Sequence, residues 1–76
     1  MEYSEQDLIK LGAPRNAWET ELMEIATAEL EKGKGYAAQL EENPHLPHVA
    51  QLVGNCDGYI QALCYAIRRR RDQVAA

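Results

Sequence analysis

Six apolar residues in the second half of the chain repeat at alternating spacings of four and three, and no other feature constrains the fold as strongly. This spacing places them on one stripe of an α-helix about 20 residues long, and Arg70 continues the spacing beyond the last of them. We call the stripe the apolar ladder, and its members are Val49, Val53, Cys56, Ile60, Leu63 and Ile67. A stripe this long must be covered by another helix, so the sequence predicts an all-α fold.

A short first helix is predicted at about residues 4–11. Ser4 is a favoured N-cap, and Asp7 stands three residues later, as in an acidic variant of the capping box. Gly12 and Pro14 follow and should end the helix. The sequence therefore places a helix of about two turns ahead of the longer elements.

Two longer helices follow, joined by a short turn. Asn16 is a favoured N-cap for a second helix at about residues 16–42, which cannot extend past the proline that follows it. Pro47 suits the first turn of a third helix at about residues 47–72. Because two long helices joined by a few residues lie antiparallel, we expect a helical hairpin within a single domain, residues 1–76.

The second helix carries the residues that should cover the apolar ladder. Gly33 and Gly35 interrupt this line, and their missing side chains allow either a kink or a close crossing of two helices. The expected packing residues of this helix are Trp18, Leu22, Ile25 (or its neighbour Ala26), Leu30 and Leu40. Together with the ladder they form the predicted core.

A chain of 76 residues buries a small core, which rarely stabilises a domain by more than about 3–5 kcal/mol. Small domains gain further stability from disulfides, a metal ion or oligomerisation. Cys56 and Cys64 lie eight residues apart on one helix, about 12 Å along its axis, which is too far for a disulfide. Cysteines used as small apolar side chains are typical of a reducing compartment, and we expect the cytoplasm, of the host cell if a phage carries the gene.

The possible metal ligands are badly placed for a common site. His45 and His48 flank the turn, but the two cysteines lie eight and sixteen residues further along one helix, so the four side chains cannot surround a single zinc ion. We expect no metal and no other cofactor. Oligomerisation remains, and we predict a homodimer whose two hairpins form a four-helix-bundle-like core.

A second line of residues on the third helix is distinguished by its small side chains. Its members recur every four residues on the side opposite the apolar ladder, and they are Ala50, Gly54, Gly58, Ala62 and Ala66, with Tyr65 beside them. We call this line the small-residue ridge. Because small side chains let two helices approach closely, the ridge is either a contact face for a second copy or a partner, or a solvent face on which small residues are tolerated.

The net charge of −4 conceals an uneven distribution. Residues 1–42 carry ten acidic and four basic residues, whereas residues 43–76 carry a net charge of +2. An acidic body disfavours nucleic-acid binding. The arginine run near the C-terminus either stabilises the negative end of a helix dipole or recognises an acidic surface or phosphates. The candidate partner-binding charges are Glu21, Glu24, Glu29 and Glu31 on the second helix and Arg68, Arg69, Arg70 and Arg71 on the third.

No sequence pattern indicates catalysis or a membrane span. No nucleophile has a base at a suitable spacing, and Gly33-Lys34-Gly35 is too short for a phosphate-binding loop. Asp57 lies in the middle of the apolar stretch 46–67, where it would cost about 2.5–3.5 kcal/mol inside a bilayer. We therefore expect neither an enzyme nor a membrane protein.

The segment Ser4–Trp18 resembles the helix-turn-helix of small DNA-binding regulators and excisionases, in which a short helix, a Leu-Gly turn and a capped second helix follow one another. The resemblance covers 15 of the 76 residues. It implies that the second helix reads a DNA groove. The departure from the pattern is that this helix would open with Glu19, Glu21 and Glu24, which phosphates repel.

The leading functional prediction is a non-catalytic, homodimeric helical module that binds another protein. Its small size, acidity and lack of catalytic residues are similar to those of phage- or mobile-element-encoded inhibitors, including anti-CRISPR and other anti-defence proteins. Such a protein would occupy a basic surface of its target with the acidic side of the second helix. The alternatives are a nucleic-acid-binding regulator that uses the helix-turn-helix-like segment and the arginine run, and a structural subunit of a larger assembly.

Overall fold

The computed structural model describes residues 1–75, which form three α-helices and no β-strand. Helix α1 spans Glu2–Leu11, α2 spans Ala17–Glu42 and α3 spans Pro47–Ala75. The two long helices pack along each other as a hairpin, and α1 packs mainly against α3. The predicted all-α class and the hairpin of two long helices are confirmed. The molecule is a rod of 47 × 16 × 16 Å, about two helices thick.

The start of α1 differs from the prediction. The helix begins at Glu2, Met1 stands at the N-cap position, and no side chain caps the first turn. Ser4 lies inside the helix with its side chain fully buried, and its hydroxyl donates a hydrogen bond to the carboxylate of Asp57 on α3. The prediction that Ser4 caps this helix is therefore wrong, because a partner 53 residues away determines where the hydroxyl points. Gly12 ends the helix as predicted, at a φ of +70° that favours glycine.

The start of α2 agrees with the prediction. The side chain of Asn16 accepts a hydrogen bond from the Glu19 backbone N–H at 2.8 Å, which is the expected N-cap. The helix then continues without a break through Gly33 and Gly35 to Glu42. Asn16 thus lies at the positive end of the α2 dipole, five residues after the end of α1 at Leu11.

Gly33 marks a close crossing of the elements. A Cβ atom at this position would lie 3.1 Å from the Cβ of Cys56 on α3 and 2.5 Å from the Cε of Met1. By contrast, a Cβ at Gly35 would meet nothing within 4 Å. Of the two interpretations of the glycine pair, close approach therefore describes Gly33, and Gly35 faces outward on the same continuous helix.

The core lies along the seam between the hairpin helices. The ladder residues Val49, Cys56, Ile60 and Ile67 are buried, and Val53 and Leu63 are half-buried. From the other elements, Leu11, Ala26 and Leu30 are buried against them, with Leu8, Trp18, Leu22 and Met23 partly buried around the cluster. Leu40 is half-buried near the turn.

The choice between Ile25 and Ala26 is settled by the helix register. Ala26 is fully buried, whereas Ile25 is 38% exposed and lies at the edge of the seam. Placing Ile25 in the core was therefore wrong. Ala26 shares the buried stripe with Leu30 and Gly33, at spacings of four and three.

Both cysteines are free and buried, as expected of small apolar side chains. Burial raises the pKa of the Cys64 thiol and, as its largest cause, that of Cys56. None of the helices in residues 1–75 is long and apolar enough to cross a membrane.

Candidate functional site

The arginine run occupies the last turns of α3, and its four side chains point in four directions. Consecutive residues on an α-helix are rotated by about 100° from each other, so four in a row cover nearly the whole circumference. The guanidinium of Arg68 lies 3.9 Å from the carboxylate of Asp7, and that of Arg69 donates to the hydroxyl of Tyr65 at 3.3 Å. The run is therefore not a single basic patch.

Arg70 and Arg71 turn towards the start of α2. The guanidinium of Arg70 lies over the ring of Trp18, 5.0 Å from its centroid, which is the geometry of a cation–π contact. Arg71 forms a two-pronged ion pair with Glu19, in which Nη2 lies 2.6 Å from Oε1 and Nε lies 3.1 Å from Oε2. Both side chains of this pair are largely buried, with 13% of Arg71 and 3% of Glu19 exposed.

Arg71 also reaches the end of α1. Its Nη1 donates to the carbonyl oxygen of Leu11 at 2.8 Å, and its Nη2 donates to that of Ala13 at 3.4 Å. Carbonyls in the last turn of a helix lack partners within the helix, so a guanidinium here satisfies them and favours the dipole. One side chain of α3 thereby connects the end of α1 to the beginning of α2.

Both members of the buried pair, Glu19 and Arg71, carry their charges. The Arg71 hydrogen bonds are the largest influence on Glu19 and hold its pKa below the ordinary value, while burial opposes them and the Arg15 backbone N–H, at 3.1 Å, assists them. The bond to Glu19 raises the pKa of Arg71 in turn. Arg71 therefore connects elements within the protein. It is not the free charge for a partner that the sequence had suggested.

A pocket of about 270 Å³ opens beside this cluster. Its lining residues are three arginines, one glutamate, one asparagine and one valine, namely Arg15, Asn16, Glu19, Arg70, Arg71 and Val74. The sequence groups Arg15 with the arginine run only as charges for binding nucleic acid, and it does not predict a pocket lined by both. The available signal was geometric: four consecutive arginines cannot all face away from a hairpin partner, so at least one had to meet the start of α2.

The acidic candidates lie on the opposite side of α2 from α3. Glu21, Glu24 and Glu31 are exposed and form no ion pair within residues 1–75. Glu29 does not join them, because it is half-buried and pairs with Lys32 at 3.2 Å. A shallow groove of about 480 Å³ runs along this outer side and is lined by Pro14, Thr20, Met23, Glu24, Thr27, Ala28 and Glu31.

The small-residue ridge lies on the outer side of α3. Ala50, Gly54, Gly58 and Ala62 are exposed, Ala66 is half-buried, and a Cβ added at either glycine would meet nothing within 4 Å. Large side chains flank the ridge: Leu52, Tyr59 and Tyr65 are 37%, 49% and 56% exposed. Nothing in residues 1–75 covers this face.

The two histidines, His45 and His48, are exposed at the turn of the hairpin. Residues 1–75 bring together no group of three or more side chains that could hold a metal ion. Comparison of the chain with protein-family models, with curated proteins and with solved structures finds no match. The contacts and charges described above are therefore the basis for inferring a function.

Proposed function

We propose that this protein is a non-catalytic helical module that binds a basic surface of another protein through the outer side of α2. The observation that carries the proposal is the contrast between the two kinds of charge. Five glutamates of α2 are exposed without an ion pair in residues 1–75, namely Glu21, Glu24, Glu31, Glu41 and Glu42, whereas each arginine of the C-terminal run contacts a side chain of its own chain. The outer side of α2 is therefore a mainly acidic surface left for a partner.

The groove on α2 supports a protein partner in particular. Glu24 and Glu31 stand seven residues apart, two helical turns or about 10 Å, and both line the groove. Met23 is half-buried, lines the same groove and adds an adaptable apolar surface. A basic segment with an apolar side chain between two cations would match this arrangement, and exposed carboxylates would raise its rate of association.

The contacts around Trp18 count against the nucleic-acid alternative. A recognition helix must present its first turns to DNA, but here Trp18 and Glu19 point into the protein and are held by Arg70 and Arg71. Thr20 and Glu21 follow in this turn and are exposed, and Glu21 carries a charge that phosphates repel. The helix-turn-helix-like segment thus serves the hairpin.

The dimer belongs to the same proposal. A second copy would cover the small-residue ridge of α3, which leaves the outer side of α2 open for the target. An inhibitor of this design would act by occupying a basic nucleic-acid-binding surface, in a cytoplasm that keeps Cys56 and Cys64 reduced. That mode of action is the one expected of small phage- or mobile-element-encoded antagonists.

The test is binding of synthetic basic peptides, each with two cations flanking an apolar residue, followed by fluorescence anisotropy. We expect affinity to fall as salt rises, and the double substitution Glu24→Gln with Glu31→Gln to weaken binding about tenfold or more. The matched control is Glu41→Gln with Glu42→Gln, which removes the same charge from exposed positions at the other end of α2.

Two results would contradict the proposal. One is an equal loss of affinity in both double variants, since this would mean that net charge alone attracts the peptides. The other is binding of duplex DNA at low salt that disappears in Arg15→Gln, since this would favour the nucleic-acid-binding regulator.

A further inference from the structure

We propose that the pocket lined by Arg15, Arg70 and Arg71 binds a phosphate group carried on a small organic ligand. The pocket is positively charged and lies on a different surface from the acidic outer side of α2, so this inference stands apart from the proposed function. It rests on the lining of the pocket, the fixed positions of two of its guanidinium groups and its size.

The charge of the lining fits a phosphate dianion. Three arginines and one glutamate line the pocket, which leaves two positive charges unbalanced in a protein whose net charge is −4. The ion pair between Glu19 and Arg71 neutralises itself, so Arg15 and Arg70 remain to meet a ligand. Two guanidinium groups can bind one phosphate at once, each through a pair of its oxygens. A carboxylate has only two oxygens and cannot offer a pair to both groups.

The pocket is held in shape before any ligand arrives. Arg71 is fixed by Glu19 and by the carbonyl oxygens of Leu11 and Ala13, and Arg70 rests on the ring of Trp18. Side chains already ordered in the free protein lose less entropy on binding. Arg15 is exposed and forms no ion pair within residues 1–75, so its guanidinium can close over the ligand.

The position of the pocket strengthens the attraction. Asn16, the N-cap of α2, lines it, and the positive end of the dipole of this 26-residue helix lies at the same place. Val74 adds an apolar wall. A volume of about 270 Å³ accommodates one compact molecule, so we infer a phosphate monoester with a small apolar or aromatic group.

The test is a titration of the full chain with phenyl phosphate, followed on the ligand by phosphorus NMR and on the protein by the fluorescence of Trp18, its single tryptophan. We expect both signals to saturate together, with a dissociation constant of about 1 mM or tighter at low salt. Inorganic phosphate should compete, and benzoate should bind at least about tenfold more weakly. Equal binding of benzoate would overturn the assignment to phosphate.

Three variants locate the site. Arg15→Gln and Arg70→Gln should each weaken phenyl phosphate binding about tenfold, because each removes a charge-assisted hydrogen bond. Arg69→Gln is the matched control: it removes the same charge from the same helix, at an exposed residue outside the pocket. If Arg69→Gln weakens binding as much as the other two, or if the wild type shows no saturation, the proposal is wrong. Should Arg70→Gln fail to fold by circular dichroism, Arg15→Gln decides alone, since the Arg15 side chain forms no hydrogen bond or ion pair within residues 1–75.

Discussion

At the scale of single residues, the stability of this small protein depends on the buried pair of Arg71 and Glu19. A buried ion pair does little for stability compared with apolar packing of the same shape, but removing one partner leaves the other charged and enclosed. In this protein the loss would reach further, because Arg71 also satisfies the carbonyl oxygens of Leu11 and Ala13. A neutral residue at position 19 would therefore loosen all three helices where they meet.

The pair predicts a dependence of stability on pH. The pKa of Glu19 is lower in the folded protein than its ordinary value of 4.5, so its contribution is complete above about pH 4.5 and is lost as the pH falls through the lowered value. We expect Glu19→Gln to lower the melting temperature by about 5 °C or more at pH 7. The difference from the wild type should shrink steadily below pH 4.5. Thermal melts followed by circular dichroism from pH 7 to pH 2 measure both effects.

Glu21→Gln is the control for this prediction. Glu21 lies two residues away on the same helix, is exposed and forms no ion pair within residues 1–75. Its substitution should leave the melting temperature nearly unchanged at pH 7. A constant difference between Glu19→Gln and wild type down to pH 2 would show that the loss comes from packing and not from charge.

At the scale of the element, the two glycines of α2 show two different effects of glycine in a helix. One is its low helix propensity, and the other is the room that it leaves for a neighbouring helix. Glycine in a helix interior costs about 1 kcal/mol relative to alanine. At Gly35 nothing opposes the added methyl group, whereas at Gly33 that group would press against the Cβ of Cys56, which belongs to the backbone-anchored part of α3. Substitution by alanine should therefore have opposite effects on stability at these two positions of one continuous helix.

We expect Gly35→Ala to raise the free energy of unfolding by about 1 kcal/mol and Gly33→Ala to lower it. The terminal atoms of Met1 can move aside, but Cys56 can shift only with α3, so the added methyl at Gly33 forces the helices apart. Urea denaturation followed by circular dichroism measures both values. An equal gain in the two variants would mean that α2 and α3 can separate without cost.

The sequence predicted the hairpin because the signals for its ends are local. Asn16 caps α2 through a hydrogen bond with a residue only three positions further along the chain, and Pro47 begins α3 by its own ring geometry. Ser4 and Arg71 were misread for the opposite reason: each looked suited to a helix end, and each finds its partner more than 50 residues away. The candidate pocket escaped prediction likewise, since Arg15 meets the arginine run only after the hairpin has formed.

At the scale of the whole molecule, the rod shape leaves much of the chain uncovered. Its accessible surface is 5245 Å², compared with about 4,700 Å² for a compact monomer of this length. A core that lies along one seam between two long helices, with only the short α1 packed beside it, accounts for this excess, since each long helix covers only one side of the other. Among the uncovered surfaces, the outer side of α3 combines the small-residue ridge with Leu52, Tyr59 and Tyr65, a composition that suits contact with another protein surface better than contact with water.

The proposed dimer follows from this excess, and one pair of variants tests it. In light scattering across a dilution series, we expect wild type to have twice the mass of one chain, and Gly58→Leu to be a monomer, because a leucine in the middle of the ridge would hold two α3 helices apart. Gly35→Leu makes the same change at an exposed glycine on the outer side of α2 and should remain a dimer. Dissociation by Gly35→Leu instead would move the interface to α2 and remove the surface assigned to the target. A wild type that stays monomeric at every concentration would contradict the dimer, and a mass above two chains would favour the structural subunit of a larger assembly.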